Sequence, residues 1–121
     1  MSSQAIAILE ELKKNTGTGE FVFPAIGPKR RPISENTLGA ALATLEYGSD
    51  THTPHGFRAM FRTIAAVDLE IRIDWLELQL AHEVKDSNGR AYNRASFLKQ
   101  RADLMRRWAD HVDVLRADTG N

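Results

Sequence analysis

The chain has 121 residues, no cysteine, ordinary apolar content and a formal net charge of zero. Those facts exclude a disulfide framework, a thiolate nucleophile and a thiolate metal site, and they give no global signature of nucleic-acid binding. No run approaches the ~20 apolar residues of a membrane span, no signal or transit pattern opens the chain, and the length suits one domain, or a piece of one, with a real core.

The first predicted helix is capped by Ser2 or Ser3, carries its apolar stripe on Ala5, Ile8, Leu9 and Leu12, and stops at Asn15 and Gly17. Glu20-Phe21-Val22-Phe23-Pro24 is a short apolar patch, either one turn or a brief extended piece. Gly27-Pro28-Lys29-Arg30-Arg31-Pro32 reads as an exposed loop, its basic triplet a solvated turn. Ser34 is the expected N-cap of a second helix through Leu38, Ala41, Leu42 and Leu45, broken near Tyr47-Gly48.

Thr51-His52-Thr53-Pro54 introduces the stretch around which the chain is organised. Proline presets φ for a first helical turn, so a helix begins near Pro54 or His55. Phe57, Met60, Phe61, Ile64 and Val67 recur at helical spacing as its buried stripe, while His55, Arg58 and Arg62 share another face. A guanidinium fork, an imidazole and backbone N–H groups at a helix start suit a phosphate; a solvated polar face is the plainer alternative. Asp74 then caps a short helix with Trp75, Leu76, Leu78 and Leu80, ending at Ala81-His82. A polar loop leads to a short helical piece around Tyr92. From Ser96 the last helix carries Phe97, Leu98, Leu104, Met105, Trp108, Val112 and Leu115 at the 3.6-residue period, a stripe for a core or for another helix.

Charge is uneven along this neutral chain. From Lys85 to Arg107, seven bases against two acids leave the segment at plus five, which allows one anionic surface. Arg62, Lys85, Arg90 and Arg94 are candidate phosphate-backbone contacts, whose binding would be salt-dependent and largely indifferent to sequence. His52 and His55 lie three apart, but no third ligand stands at metal-site spacing, so no metal site is assigned. His52 and His111 carry no motif and are expected to be exposed.

Four residues with chemical potential follow in order: His55, Arg58, His82 and Tyr92. The strings His55-Gly56-Phe57-Arg58-Ala59, Gln79-Leu80-Ala81-His82, Ala91-Tyr92-Asn93-Arg94-Ala95 and Trp108-Ala109-Asp110 together resemble the C-terminal half of the tyrosine recombinase (phage integrase) catalytic domain. The likeness is greatest to the satellite-phage-like integrases of bacterial genomic islands, and it runs from Ser3 to about Val112. What it implies is a mainly α fold with little or no sheet, the whole chain being a partial, C-terminal catalytic domain, with residues 96–117 an amphipathic helix that packs in cis or in trans.

The same resemblance implies site-specific DNA recombination through a 3′-phosphotyrosine, with double-stranded attachment-site DNA as partner, a tetramer on DNA in the full-length protein, no metal or nucleotide cofactor, and a bacterial cytoplasmic location. Tyr92 would be the nucleophile, Arg58 the clamp on a nonbridging oxygen, and His55 and His82 the groups that bond the phosphate or manage the proton. The family's first active-site arginine and its lysine precede the matching region, so little or no recombination is expected of this polypeptide alone. A small helical DNA-binding or protein-interaction module without catalysis is the alternative; it has no reason to gather Tyr92, Arg58, His55 and His82 around one phosphate-sized space.

Overall fold

The computed structural model describes residues 1–27, 31–85, 88 and 96–119. Its helices are α1 (Ser3–Thr16), α2 (Thr37–Thr44), α3 (Gly56–Val67), α4 (Ile73–Gln79) and α5 (Leu98–Asp118). An isolated antiparallel bridge joins Pro24 and Pro32, and the fold is mainly α, with no sheet among the described residues. The chain divides into two compact units, residues 4–57 and residues 58–121 with 1–3, the boundary falling inside the first turn of α3.

In the 4–57 unit, each helix end follows from local chemistry. Lys13 and Lys14 occupy the last turn of α1, where they complement the carbonyl end of the helix dipole. The apolar patch at 21–24 is extended rather than helical: Ala25 N–H donates to the Arg31 carbonyl (2.8 Å) and Ile33 N–H to the Phe23 carbonyl (3.0 Å). The two prolines thus face each other where the ladder needs no N–H from them, the one register a pair of prolines tolerates. Ser34 does not cap α2. Its carbonyl accepts Thr37 N–H (3.0 Å) and its hydroxyl meets that of Thr37 (3.0 Å), forming a turn that delays the helix to Thr37. No described residue of 4–57 is buried; Leu38 and Leu45 of the expected α2 stripe are exposed, as is Ile8 of α1.

The core lies in the 58–121 unit. It is built from pairs four residues apart: Phe61 and Ala65 on α3, Leu76 on α4 and Leu80 at its C-cap, with Leu104 from α5 and Ile71 from the connection. Trp75, Met105 and Trp108 pack around them, and the Trp108 ring meets Phe61 edge to face at 5.1 Å. Ala65 is fully buried, its small side chain allowing neighbouring groups to approach the α3 backbone. The α3 stripe therefore runs through Phe61 and Ala65 and not through Val67, which lies two residues past Ala65, turned about 200° around the helix, and is 69% exposed. Phe57 is half exposed and meets the His52 ring at 4.3 Å within the other unit.

Along α5 only the middle of the expected stripe is covered. Leu104 is buried, whereas Leu98, Val112 and Leu115 are exposed. Arg107 donates to the Leu69 carbonyl at 2.5 Å and so ties α5 to the turn after α3. Arg72 lies over the rings of Trp75 (5.2 Å) and Phe97 (6.0 Å), joining the starts of α4 and α5 by cation–π contact. Because Leu104 is enclosed on every side in a small core, Leu104→Ala is expected to cost about 2–5 kcal/mol, read as a lowered urea midpoint at unchanged m-value.

Candidate active site

The start of α3 is set by Thr53-Pro54. Gly56 N–H donates to the Thr53 carbonyl (2.9 Å) and to its hydroxyl (3.1 Å), so Thr53 acts as the cap and Pro54-His55 form the entering turn. His55 is exposed there. His52, expected at the surface, is instead partly buried against this turn: a methyl group added at Gly56 would lie 2.9 Å from its ring, so any larger residue there would displace the imidazole. His111 is also partly buried, with its ring 6.1 Å from that of Trp108. Both histidines contact aromatic neighbours in the sequence, His52 edge-on to Phe57 and His111 tilted against Trp108, contacts that their lack of motif could not announce.

In the 58–121 unit the candidate residues gather at the C-terminal turn of α4. Ala81 adopts left-handed geometry (φ 60°). Ala81 N–H then bonds the Leu78 carbonyl (3.1 Å) and His82 N–H the Glu77 carbonyl (2.9 Å), the paired pattern of a Schellman cap. That pattern ordinarily brings together the side chains of the two residues joined by its longer bond. Here they are Glu77 and His82, and His82 Nδ1 meets a Glu77 carboxylate oxygen. The other Glu77 oxygen accepts a hydrogen bond from Arg62 Nε.

Arg58 donates from a terminal guanidinium nitrogen to the Leu80 carbonyl, two residues before His82. Arg58 and Arg62 are one turn apart on α3 and reach the C-terminal end of α4, whereas His55, expected on the same face, precedes the helix in the 4–57 unit. Arg101 completes the arrangement from α5 by donating to the Gln79 side chain (3.0 Å). Cationic donors around the carbonyl end of a helix oppose the partial negative charge gathered there.

Glu77 was not foreseen from the sequence. A glutamate five residues before a histidine looks like ordinary surface until Ala81 is known to turn left-handed. Its side chain is only 19% exposed. Burial by itself would raise its pKa, but the hydrogen bonds and charges of His82 and Arg62 prevail and hold it below the ordinary glutamate value.

Arg58 and His82 are therefore brought to the same corner of the 58–121 unit, and His55 lies in the 4–57 unit. Tyr92, with Arg90 and Arg94, lies outside the described residues, as do Lys29 and Arg30 of the basic loop. Lys85 is exposed. Arg62, expected as a phosphate contact, is paired with Glu77 while its side chain remains 48% exposed.

Over its whole length the chain is similar to a set of phage and prophage integrases. It is 36% identical over 121 residues to the prophage integrase IntZ of Escherichia coli K12, spanning 100% of this chain and 29% of that protein. It is 37% identical over 121 residues to the prophage integrase IntA of the same strain, spanning 100% and 28%, and 34% identical over 118 residues to the integrase of Enterobacteria phage P4, spanning 96% and 27%. No family model and no solved structure matches the chain. The helical corner that holds Arg58 and His82 thus belongs to a chain with integrase relatives along its length. More particularly, the chain is homologous throughout to one stretch of the phage and prophage integrases, and it spans about three-tenths of the length of these relatives.

Two outcomes follow from the α4 turn. A carboxylate whose folded pKa is depressed contributes stability above its unfolded value and loses it as pH falls through the folded one. Wild-type stability, followed by urea unfolding, should therefore drop more steeply below about pH 4 than that of Glu77→Gln. Ala81→Gly removes the steric cost of left-handed geometry and should raise stability by about 0.5–1 kcal/mol, seen as a higher urea midpoint.

Proposed function

We propose that the chain is the C-terminal part of the catalytic domain of a tyrosine recombinase that integrates DNA at specific sites. The observation that carries this reading is the joining of two independent facts: similarity to integrases along the entire chain, and a guanidinium and an imidazole anchored within two residues of each other on the α4 turn.

In the proposed reaction the Tyr92 hydroxyl attacks a DNA phosphorus. The bond from phosphorus to the tyrosine oxygen forms as the bond to the 5′-oxygen breaks. The phenol proton passes to a base, and the departing 5′-oxygen takes a proton from an acid. Attack by a second strand's 5′-hydroxyl reverses the sequence and releases Tyr92. A phenol of pKa about 10 is neutral at working pH and needs such assistance. The Leu80 carbonyl engages one of the five N–H donors of Arg58, leaving others in the same plane to meet a nonbridging oxygen. Since Nδ1 of His82 faces Glu77, Nε2 is the nitrogen directed to phosphate or proton. His55 is the second imidazole of the set.

Lys85, Arg90 and Arg94, with the exposed part of Arg62, supply contacts to the phosphate backbone of the attachment site. The exposed Val112 and Leu115 end of α5 serves contacts among the protomers of a tetramer on DNA. No described helix is long and apolar enough to cross a membrane, in keeping with action on DNA in the bacterial cytoplasm. Strand cleavage also draws on an arginine and a lysine from elsewhere in the full-length enzyme, so this polypeptide alone is inactive.

A nicked suicide substrate tests the assignment in the full-length integrase bearing this segment. Wild type should accumulate a covalent DNA adduct, Tyr92→Phe none, and Arg58→Ala about 10²–10³ less per unit time. Equal trapping by Tyr92→Phe would overturn the nucleophile, and an adduct formed by the 121-residue chain alone would overturn its inactivity.

A further inference from the structure

Three facts about Glu77 stand together. Its backbone carbonyl receives His82 N–H at 2.9 Å; one carboxylate oxygen meets His82 Nδ1; the other accepts from Arg62 Nε. The Glu77 side chain is 19% exposed and that of His82 48%. An ionised carboxylate only accepts hydrogen bonds, so the ring nitrogen that faces it must carry the proton. Since its pKa is depressed, Glu77 is ionised at neutral pH.

From this geometry we infer that Glu77 is a positioning residue, held by Arg62, that fixes His82 in the Nδ1–H tautomer and aims Nε2 outward as the working nitrogen. A histidine without such a partner exchanges tautomers and swings about its χ angles. One held at Nδ1 and at its own backbone N–H by the same residue keeps both its proton and its direction. The inference also changes the work given to Arg62: its first task is to hold Glu77 in place, and any contact with DNA uses its remaining donors. The tautomer and its geometry are properties of this chain, whereas their use in strand cleavage rests on the recombinase reading above.

The test has two arms, so that these two levels fail separately. In the 121-residue chain, long-range nitrogen–proton NMR correlations of His82 at neutral pH should show the proton on Nδ1. Glu77→Gln keeps an acceptor oxygen and should retain that pattern, whereas Glu77→Ala should show a tautomer mixture. Wild-type His82 protonated chiefly on Nε2 would overturn the inference without recourse to any variant. An unchanged tautomer in a folded Glu77→Ala would do the same.

In the full-length integrase, Glu77→Ala should slow adduct formation on the nicked substrate by about tenfold to a hundredfold at unchanged DNA affinity in a gel-shift titration, with partial rescue by Glu77→Gln. A tautomer that depends on Glu77 together with unaltered cleavage would overturn the positioning role in catalysis. Adduct formation by Tyr92→Phe equal to wild type would remove the recombinase reading and leave the NMR result standing.

Discussion

A seven-residue helix cannot hold itself in place, and the last turn of α4 is the constraint on which the site depends. Short helices in water are marginal because nucleation fixes several dihedrals for each hydrogen bond made. Here the helix is held from below by Leu76 and Leu80 in the core and from the side by three arginines. Arg58 takes the Leu80 carbonyl, Arg62 the Glu77 carboxylate, and Arg101 the Gln79 amide oxygen. The carbonyl end of a helix carries partial negative charge and unsatisfied acceptors, so cationic donors satisfy both needs at once.

The same turn accepts a local penalty. Ala81 in left-handed geometry places its Cβ against the backbone, a position where glycine is at ease. The paired cap bonds and the Glu77–His82 contact hold it there. Strain of this kind persists where surrounding contacts over-determine the conformation, and such places are often sites of function. At this one, the residue after the strained alanine is the imidazole that the integrase resemblance singles out.

The distribution of burial separates the two units in a way that bears on function. The 58–121 unit has a real, if small, apolar core around Leu76 and Leu104. The 4–57 unit keeps its order through turns, caps and the proline bridge, with Phe23, Ile26, Leu38 and Leu45 exposed. Apolar area of that kind gains its full free energy only when removed from water. The part of the chain that carries Arg58 and His82 is the part that holds the apolar core.

Much was legible in the residues alone. Helix existence followed from apolar periodicity, and Pro54 marked the entry to α3 because proline suits a first helical turn. Ordered strings around His55, Arg58, His82 and Tyr92 pointed to the integrases before any coordinates, since motif order is written in one dimension. Other features needed the fold. The α3 stripe ran through Ala65 in place of Val67, because the approach of α4 and α5 decided which face closed. Ser34 made a turn with Thr37 in place of a cap, since the same hydroxyl suits either. Glu77 stayed unseen because its meeting with His82 requires a left-handed alanine that no propensity favours, and its meeting with Arg62 requires two helices to pack. Sequence specifies which groups a chain carries and how they recur; only tertiary packing, which trades local strain against burial and charge, determines which of them meet.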